Sequence, residues 1–297
     1  MKNVKFKKYI LDAGTNFRSL NSFGSGNGEN TVAIDFNNKI IHEMSVVGGI
    51  ASLATITYGP GETKTPTNND SEEVGVLLSV AGELEEKEPE FDEGILYPKQ
   101  MISSGLVKSS NEFVQDQDID IEQWLAARFG TRIQRRESAL IFKGTGLSVQ
   151  PLGMNAAIKN VIDADSATEL SVKEVENMVG SIDPVYRDHP TFALAFNDNT
   201  LKALRDEAAS NYLLALELSA KKVAGHRFII DNNISDIGAG NCSIFAGVWK
   251  NLLIKRSDIR FKVIREAFAE LDQIGFVAVQ KTDFLVADQK TFATIKH

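Results

Sequence analysis

The sequence predicts an α+β fold, and three observations carry that reading. Ile121, Leu125, Phe129, Ile133 and Leu140 recur at helical spacing behind Asp120, over the longest periodic segment of the chain. Stretches such as TFALAF, HRFIIDNNI, CSIFAGVW and GFVAVQ are apolar or alternating, in the manner of strands. Helical and strand-like segments follow one another without the strict βαβ rhythm of a doubly wound sheet, which favours α+β.

Taken in order, the chain opens with a basic stretch (Lys2, Lys5, Lys7, Lys8) that passes into NSFGSGNGEN, a tract without periodicity. Residues 1–36 read as an extended arm. From Phe36 to Val47, the residues Ile40, Ile41, Met44 and Val47 keep helical spacing, and Gly48-Gly49 stop the helix. Between Leu53 and Met101, strand-like stretches (LATITY, VGVLLSVAGEL, ILYPKQMI) are separated by the charged, turn-rich segments YGPGETKTPTNNDSEE and EEKEPEFDEG. This is a long two-stranded excursion.

The longest helix follows. Asp120 and Gln123 form an N-terminal capping box, and the span from Asp120 to Lys143 is roughly 36 Å at 1.5 Å per residue. Leu125, Phe129 and Ile133 are expected to pack on the closing strands around Phe276 and Val279, with Glu122, Arg128, Arg132, Arg135 and Glu137 projecting elsewhere. Gly144 and Gly146 end the helix, supplying positive φ past its last turn. Ser171 and Glu174 make a second capping box for a helix with the stripe Val172, Val175, Val179 and Ile182. Another short helix spans Asn199–Ser210, and the chain closes as strand, turn and strand.

Composition bounds the function. With 297 residues, 43% of them hydrophobic, the chain can bury one large core or two modest ones. A net charge of −8 argues against chain-wide binding to nucleic acid, so such contacts must be local. Cys242 is the only cysteine, which excludes an intrachain disulfide and a thiolate metal cluster. It sits among apolar neighbours and reads as a small buried hydrophobe. No stretch has the form of a signal peptide or the length of a membrane span. His42, His189, His226 and His297 are scattered, without i, i+4 metal spacing or a nucleophile motif beside them. Asp116, Asp118 and Asp120 alternate like a calcium loop, but Ile121 stands where that loop needs glycine. KGTG follows its helix, whereas a phosphate cradle precedes one. No catalytic residue, metal site or cofactor is indicated.

An arm, a charged two-stranded projection and a rod-like helix without catalytic groups imply partner subunits, because an isolated ribbon has no face to bury. Over residues 36–297 the sequence resembles the major capsid proteins of tailed bacteriophages, which have the Hong Kong 97-like fold. NNKIIHEMSVVGGIASLATI is similar to the helix leading into the extended loop, and YPKQMISSGLVKSSNEFVQDQDIDIEQWLAARFGTRIQRRESALIFKGTGLSVQPLG to the strand, spine helix and its exit. TFALAFNDNTLKALRD is similar to the strand and helix of the axial domain, and SIFAGVWKNLLIKRSDIRFKVI with DQIGFVAVQKTDFLVADQKTFATI to the last third.

The resemblance implies an N-terminal arm (1–36), a peripheral-domain entry helix (37–52), an extended loop (53–100) and a peripheral domain with the spine helix (101–147). It further implies an axial domain (148–250), return strands of the peripheral domain (251–283) and an axial closing segment (284–297). Also implied are self-assembly through hexamers and pentamers into an icosahedral head around packaged double-stranded DNA, scaffolding, portal and decoration partners, and assembly in the host cytoplasm with the virion as destination. A membrane is not involved. Two alternatives are a nanocompartment shell of the same fold and an α+β enzyme or binding module, the enzyme needing converging polar residues that the sequence does not supply. The expected subunit interface is electrostatic: Glu83, Glu85, Glu86 and Glu88 of the loop against Arg128, Arg132, Arg135, Arg136, Lys255 and Arg256 of an adjacent copy.

Overall fold

The computed structural model describes residues 10, 29–68, 91–116, 120–147 and 150–297. In chain order these form α1 (Glu29–Val47), β1 (Thr55–Tyr58), β2 (Thr63–Asn68), β3 (Phe91–Leu96), β4 (Gln100–Ser103), β5 (Val107–Ser110), α2 (Asn111–Gln115) and α3 (Ile121–Lys143). Next come α4 (Met154–Ala157), β6 (Val161–Asp163), α5 (Val172–Gly180), α6 (Pro184–Arg187), β7 (Phe192–Phe196), α7 (Asp198–Ala208) and α8 (Tyr212–Ser219). The remainder is β8 (Lys222–Val223), β9 (His226–Ile230), β10 (Cys242–Val248), β11 (Leu252–Arg256), β12 (Arg260–Ile264), β13 (Gln273–Val286) and β14 (Phe292–Lys296).

The first sheet is built around β13, whose 14 residues alternate in burial except at Gly275, which is also buried. Ile274, Phe276, Ala278, Gln280, Thr282, Phe284 and Val286 are all buried on one face. β11 and β12 flank one side of β13, β4 and β5 pair with the other, and β1 extends the sheet by running parallel to β11. α3 covers the buried face. The Phe129 ring lies 5.9 Å from Phe261, which stacks on Phe276 at 6.0 Å. Fully burying such side chains contributes about 1.5–3 kcal/mol each. Val279 has the opposite parity to Phe276 and is only half-buried, so it lies off this core, contrary to the sequence expectation. β1, expected in the extended loop, is a strand of this sheet.

The helix expected from Phe36 begins at Glu29, so residues 29–36 belong to α1 and not to an extended arm. Ile10, also within the expected arm, is helical and fully buried in the first core. Phe36, Ile40 and Met44 are the buried i, i+4, i+8 stripe of α1. Gly48 and Gly49 stop it with φ of 68° and 75°. The end of α3 is different. Gly144 is extended (φ −60°), and its role is close approach, because a Cβ there would lie 2.2 Å from the Pro151 carbonyl oxygen. Of the two glycines expected to end this helix, Gly146 alone takes positive φ, at 70°.

The second sheet has the order β6-β14-β10-β7-β9-β8. β7 and β10 are buried at every position because both of their faces are covered, which explains why their runs are apolar apart from Ser243. On one face lie Val172, Val175, Val179 and Ile182, the stripe expected for α5, with Leu201 and Leu204 of α7. The reciprocal capping box of Ser171 and Glu174 is formed. On the other face Phe245 meets Phe142 of α3 at 5.3 Å, and the Trp249 indole donates to the Ala193 carbonyl at 2.8 Å, joining the second sheet to the first core. Helices and strands mix along the chain without a strict βαβ rhythm, in keeping with the α+β class. β2 and β3 form a separate antiparallel ribbon, with Thr63 opposite Leu96 and Asn68 opposite Phe91.

Candidate subunit interface

α3 sorts its charges according to what packs on it. Asp120 accepts from the Gln123 amide at 3.1 Å, and the Gln123 side chain turns to Glu43 of α1, so the expected capping box is half formed. Glu122 is buried against α1, where Lys39 pairs with it at 3.0 Å. Glu137 is fully buried against the first sheet. It accepts from Arg256 Nε at 3.0 Å and from Thr282 Oγ1 at 2.9 Å, and it also pairs with Arg256 Nη2, which in turn donates to Gln134 at 3.1 Å. The sequence reading has both acids projecting away from the buried stripe. Each is buried because a cation from another element meets it, and a carboxylate can be held in an interior only under that condition.

The exposed residues of α3 are then Gln123, Arg128, Arg132, Arg135, Arg136 and Lys143, with no acid among them. From Arg128 to Lys143 this cationic face runs about 22 Å. Arg128 lies over the Trp124 ring at 4.8 Å and Arg132 donates to the Ser104 carbonyl at 3.1 Å, so two of the long side chains are already partly ordered.

Lys255 and Arg256 do not belong to this surface, and the expectation that they do is corrected. Both are 3% exposed. Burial alone would lower the Arg256 pKa, but the Glu137 carboxylate more than offsets it, and Arg256 is held charged above its ordinary value. The Lys255 amine donates to the Gly61 carbonyl at 2.9 Å and is hydrogen-bonded to the Thr63 hydroxyl. It fastens the start of the β2–β3 ribbon to the first sheet. Asp283 helps at the other ribbon strand's exit, accepting from the Tyr97 amide at 2.9 Å, and burial pushes its carboxyl above the usual range. Exposed Lys64 and Glu93 pair across the ribbon at 2.9 Å. Glu83, Glu85, Glu86 and Glu88 lie outside the described residues.

The Glu137 network was missed from sequence, although a signal existed. Glu137 stands four residues after Ile133, on the next position of the buried stripe. Among the described residues no group of histidine, cysteine and carboxylate side chains is placed to hold a metal, and no helix is long and apolar enough to cross a membrane. Cys242 is buried, which raises its thiol pKa and suppresses the thiolate. His297 meets Ser243 at 2.6 Å, but Ser243 is fully buried and out of reach of a substrate.

The described residues thus present a ribbon tethered to the first sheet and a long helix whose exposed charges are all cationic. Residues 28–297 match the model of the phage capsid family. The chain belongs to that family. It is a structural shell protein of an icosahedral phage head, a component of the virion, and not an enzyme.

Solved structures place the fold of this capsid-family chain. It is similar to the capsid of the native GTA particle at 20% identity, over 84% of this chain and 90% of that one, with a TM-score of 0.67. It is similar to the satellite phage P4 procapsid including size determination (Sid) protein at 12% identity, over 99% and 96%, with a TM-score of 0.60. For Mycobacterium phage Adephagia the values are 13% identity, 83% and 89%, and 0.58. At such identities the likeness is one of fold, the Hong Kong 97-like α+β fold. No curated protein matches the sequence.

Proposed function

We propose that copies of this capsid-family protein close into hexamers and pentamers whose shell encloses packaged double-stranded DNA, touched without sequence preference. In this reading the first sheet with α1 and α3 is the peripheral domain, the second sheet with α5, α7 and α8 is the axial domain, and the β2–β3 ribbon is the root of the extended loop. Assembly takes place in the host cytoplasm with scaffolding and portal proteins, and decoration proteins bind the finished shell. The loop of one copy lies over the next, with Glu83, Glu85, Glu86 and Glu88 facing Arg128, Arg132, Arg135 and Arg136 across the boundary.

The observation that supports this clasp is the wholly cationic set of exposed charges on α3. A chain of net charge −8 exposes five cations on one helix while burying that helix's two acids. Each exposed pair contributes only about 0–1 kcal/mol, so the effect comes from repetition over many copies. It is also screened, because the Debye length falls from about 10 Å at 0.1 M salt to about 3 Å at 1 M.

Light scattering of shell assembly against ionic strength tests the clasp, comparing the parent protein with Arg132→Glu/Arg135→Glu and with Glu85→Lys/Glu86→Lys/Glu88→Lys. Each variant should assemble poorly at low salt, and parent assembly should weaken as salt rises. Indifference of all three to salt and to charge reversal sinks the clasp.

A further inference from the structure

The two outer edges of the second sheet differ in a way that suits them to each other. At one edge α8 packs beside β8 through Leu214, leaving Tyr212, Leu213 and Leu216 79%, 72% and 56% exposed. Exposed apolar side chains clustered on one short helix cover a few hundred Å², the size at which a patch on a protein surface marks a contact. Directly after this helix Lys221 and Lys222 are exposed, and Glu217 is the one acid on α8. At the opposite edge, five strand spacings or roughly 24 Å away, stands β6. There Val161 is exposed on the strand, and Asp163 and Asp165 are exposed at its end, with Lys159 the cation that precedes it.

We propose that the α8 edge of one copy packs against the β6 edge of a second copy. Tyr212, Leu213 and Leu216 cover the partner's β6 edge, and Lys221 and Lys222 meet its aspartates. The inference rests on the reading of closed rings of copies and names the surfaces that make the ring. Because the two surfaces differ and lie on opposite sides of one sheet, the contact is head-to-tail. Such a contact repeats the same rotation at every step and closes into a ring when that rotation divides a full turn, whereas a self-complementary patch stops at a pair. The contact is made by side chains and not by strand addition, since β8 has two residues and β6 three, too few to template another strand. The patch is also smaller than the ~800 Å² per partner of a standard stable interface, so it forms the apolar centre of a wider boundary.

The test uses assembled particles in a Cys242→Ala background, carrying Leu213→Cys with Val161→Cys and treated with a short bis-maleimide. The expected result on denaturing gels is a ladder of covalent multimers that stops at the ring size, while either single cysteine alone leaves a monomer band. A dimer from Leu213→Cys alone would mean a self-complementary patch and would overturn the inference. So would intact shells without a ladder. If microscopy of the parent protein shows no closed particles, the underlying ring reading fails first, so the two failures are distinguishable.

A charge series gives an independent check. Lys221→Glu/Lys222→Glu and Asp163→Lys/Asp165→Lys should each raise the protein concentration at which shells form by about tenfold, equivalent to ~1.4 kcal/mol. The quadruple reversal should return it toward the parent value. Failure of the quadruple variant to recover, with all variants folded by circular dichroism, counts against the pairing.

Discussion

Replacing Glu137 by alanine should destabilise the protein more than any surface change, and the structure sets the size of the effect. The substitution removes the acceptor of three donors, Arg256 Nε, Arg256 Nη2 and Thr282 Oγ1, and leaves a guanidinium that is 3% exposed without its counter-charge. Breaking a buried pair from one side costs about 3–5 kcal/mol. Unfolding entropy is about 2.1 cal/mol/K per residue, so over this chain the loss corresponds to a melting temperature lower by roughly 5–8 °C. Thermal unfolding of the unassembled protein, followed by far-ultraviolet circular dichroism, measures it. The double variant Glu137→Leu/Arg256→Met is the decisive comparison, because an apolar pair of similar volume replaces a buried ion pair at little cost. It should recover most of the lost stability. If the double variant melts as low as Glu137→Ala, lost packing and not an orphaned charge explains the effect, and the electrostatic reasoning is wrong. An unchanged melting temperature in Glu137→Ala would mean that Arg256 reaches solvent and that the network is not closed.

Three further outcomes are expected. Phe129→Ala should cost about 3–5 kcal/mol, since the ring is fully buried against Phe261, and should leave little soluble, assembly-competent protein; normal shell yield refutes its placement. Lys255→Met removes the tether to Gly61 and Thr63, so limited proteolysis should cut near the start of the β2–β3 ribbon faster than in the parent, and equal rates would show that the tether is dispensable. Burial raises the Asp283 pKa above its unfolded value, so the folded state binds more protons across that window and stability falls as pH rises through it. Asp283→Asn, which keeps an acceptor for the Tyr97 amide, should flatten urea-unfolding stability across the acidic range, and an unchanged pH profile refutes the assignment.

Local signals alone determined a good part of this protein. The stripe from Ile121 to Leu140 with Asp120 as its cap, the Ser171–Glu174 box and the Gly48-Gly49 stop each depend on residues a few positions apart, and each folds as that spacing dictates. Order and spacing of such segments also sufficed for the α+β class and the likeness to phage capsid proteins. The electrostatic half of the candidate interface was not legible in the same way. Lys255 and Arg256 sit in an alternating stretch that looks half exposed, yet β11 is covered on one face by α3 and fastened on the other to the ribbon's start, so both cations go inside.

Glu122 and Glu137 look like the arginines beside them until their partners are known, and those partners are Lys39, 83 positions earlier, and Arg256, 119 positions later. Gly144, by its place after a helix, reads as a positive-φ cap, but the approach of Pro151 is what requires it. Periodicity reports which face of an element is apolar. Whether a charged side chain stays in water depends on desolvation weighed against one specific counter-charge, and only the tertiary structure brings that counter-charge within reach.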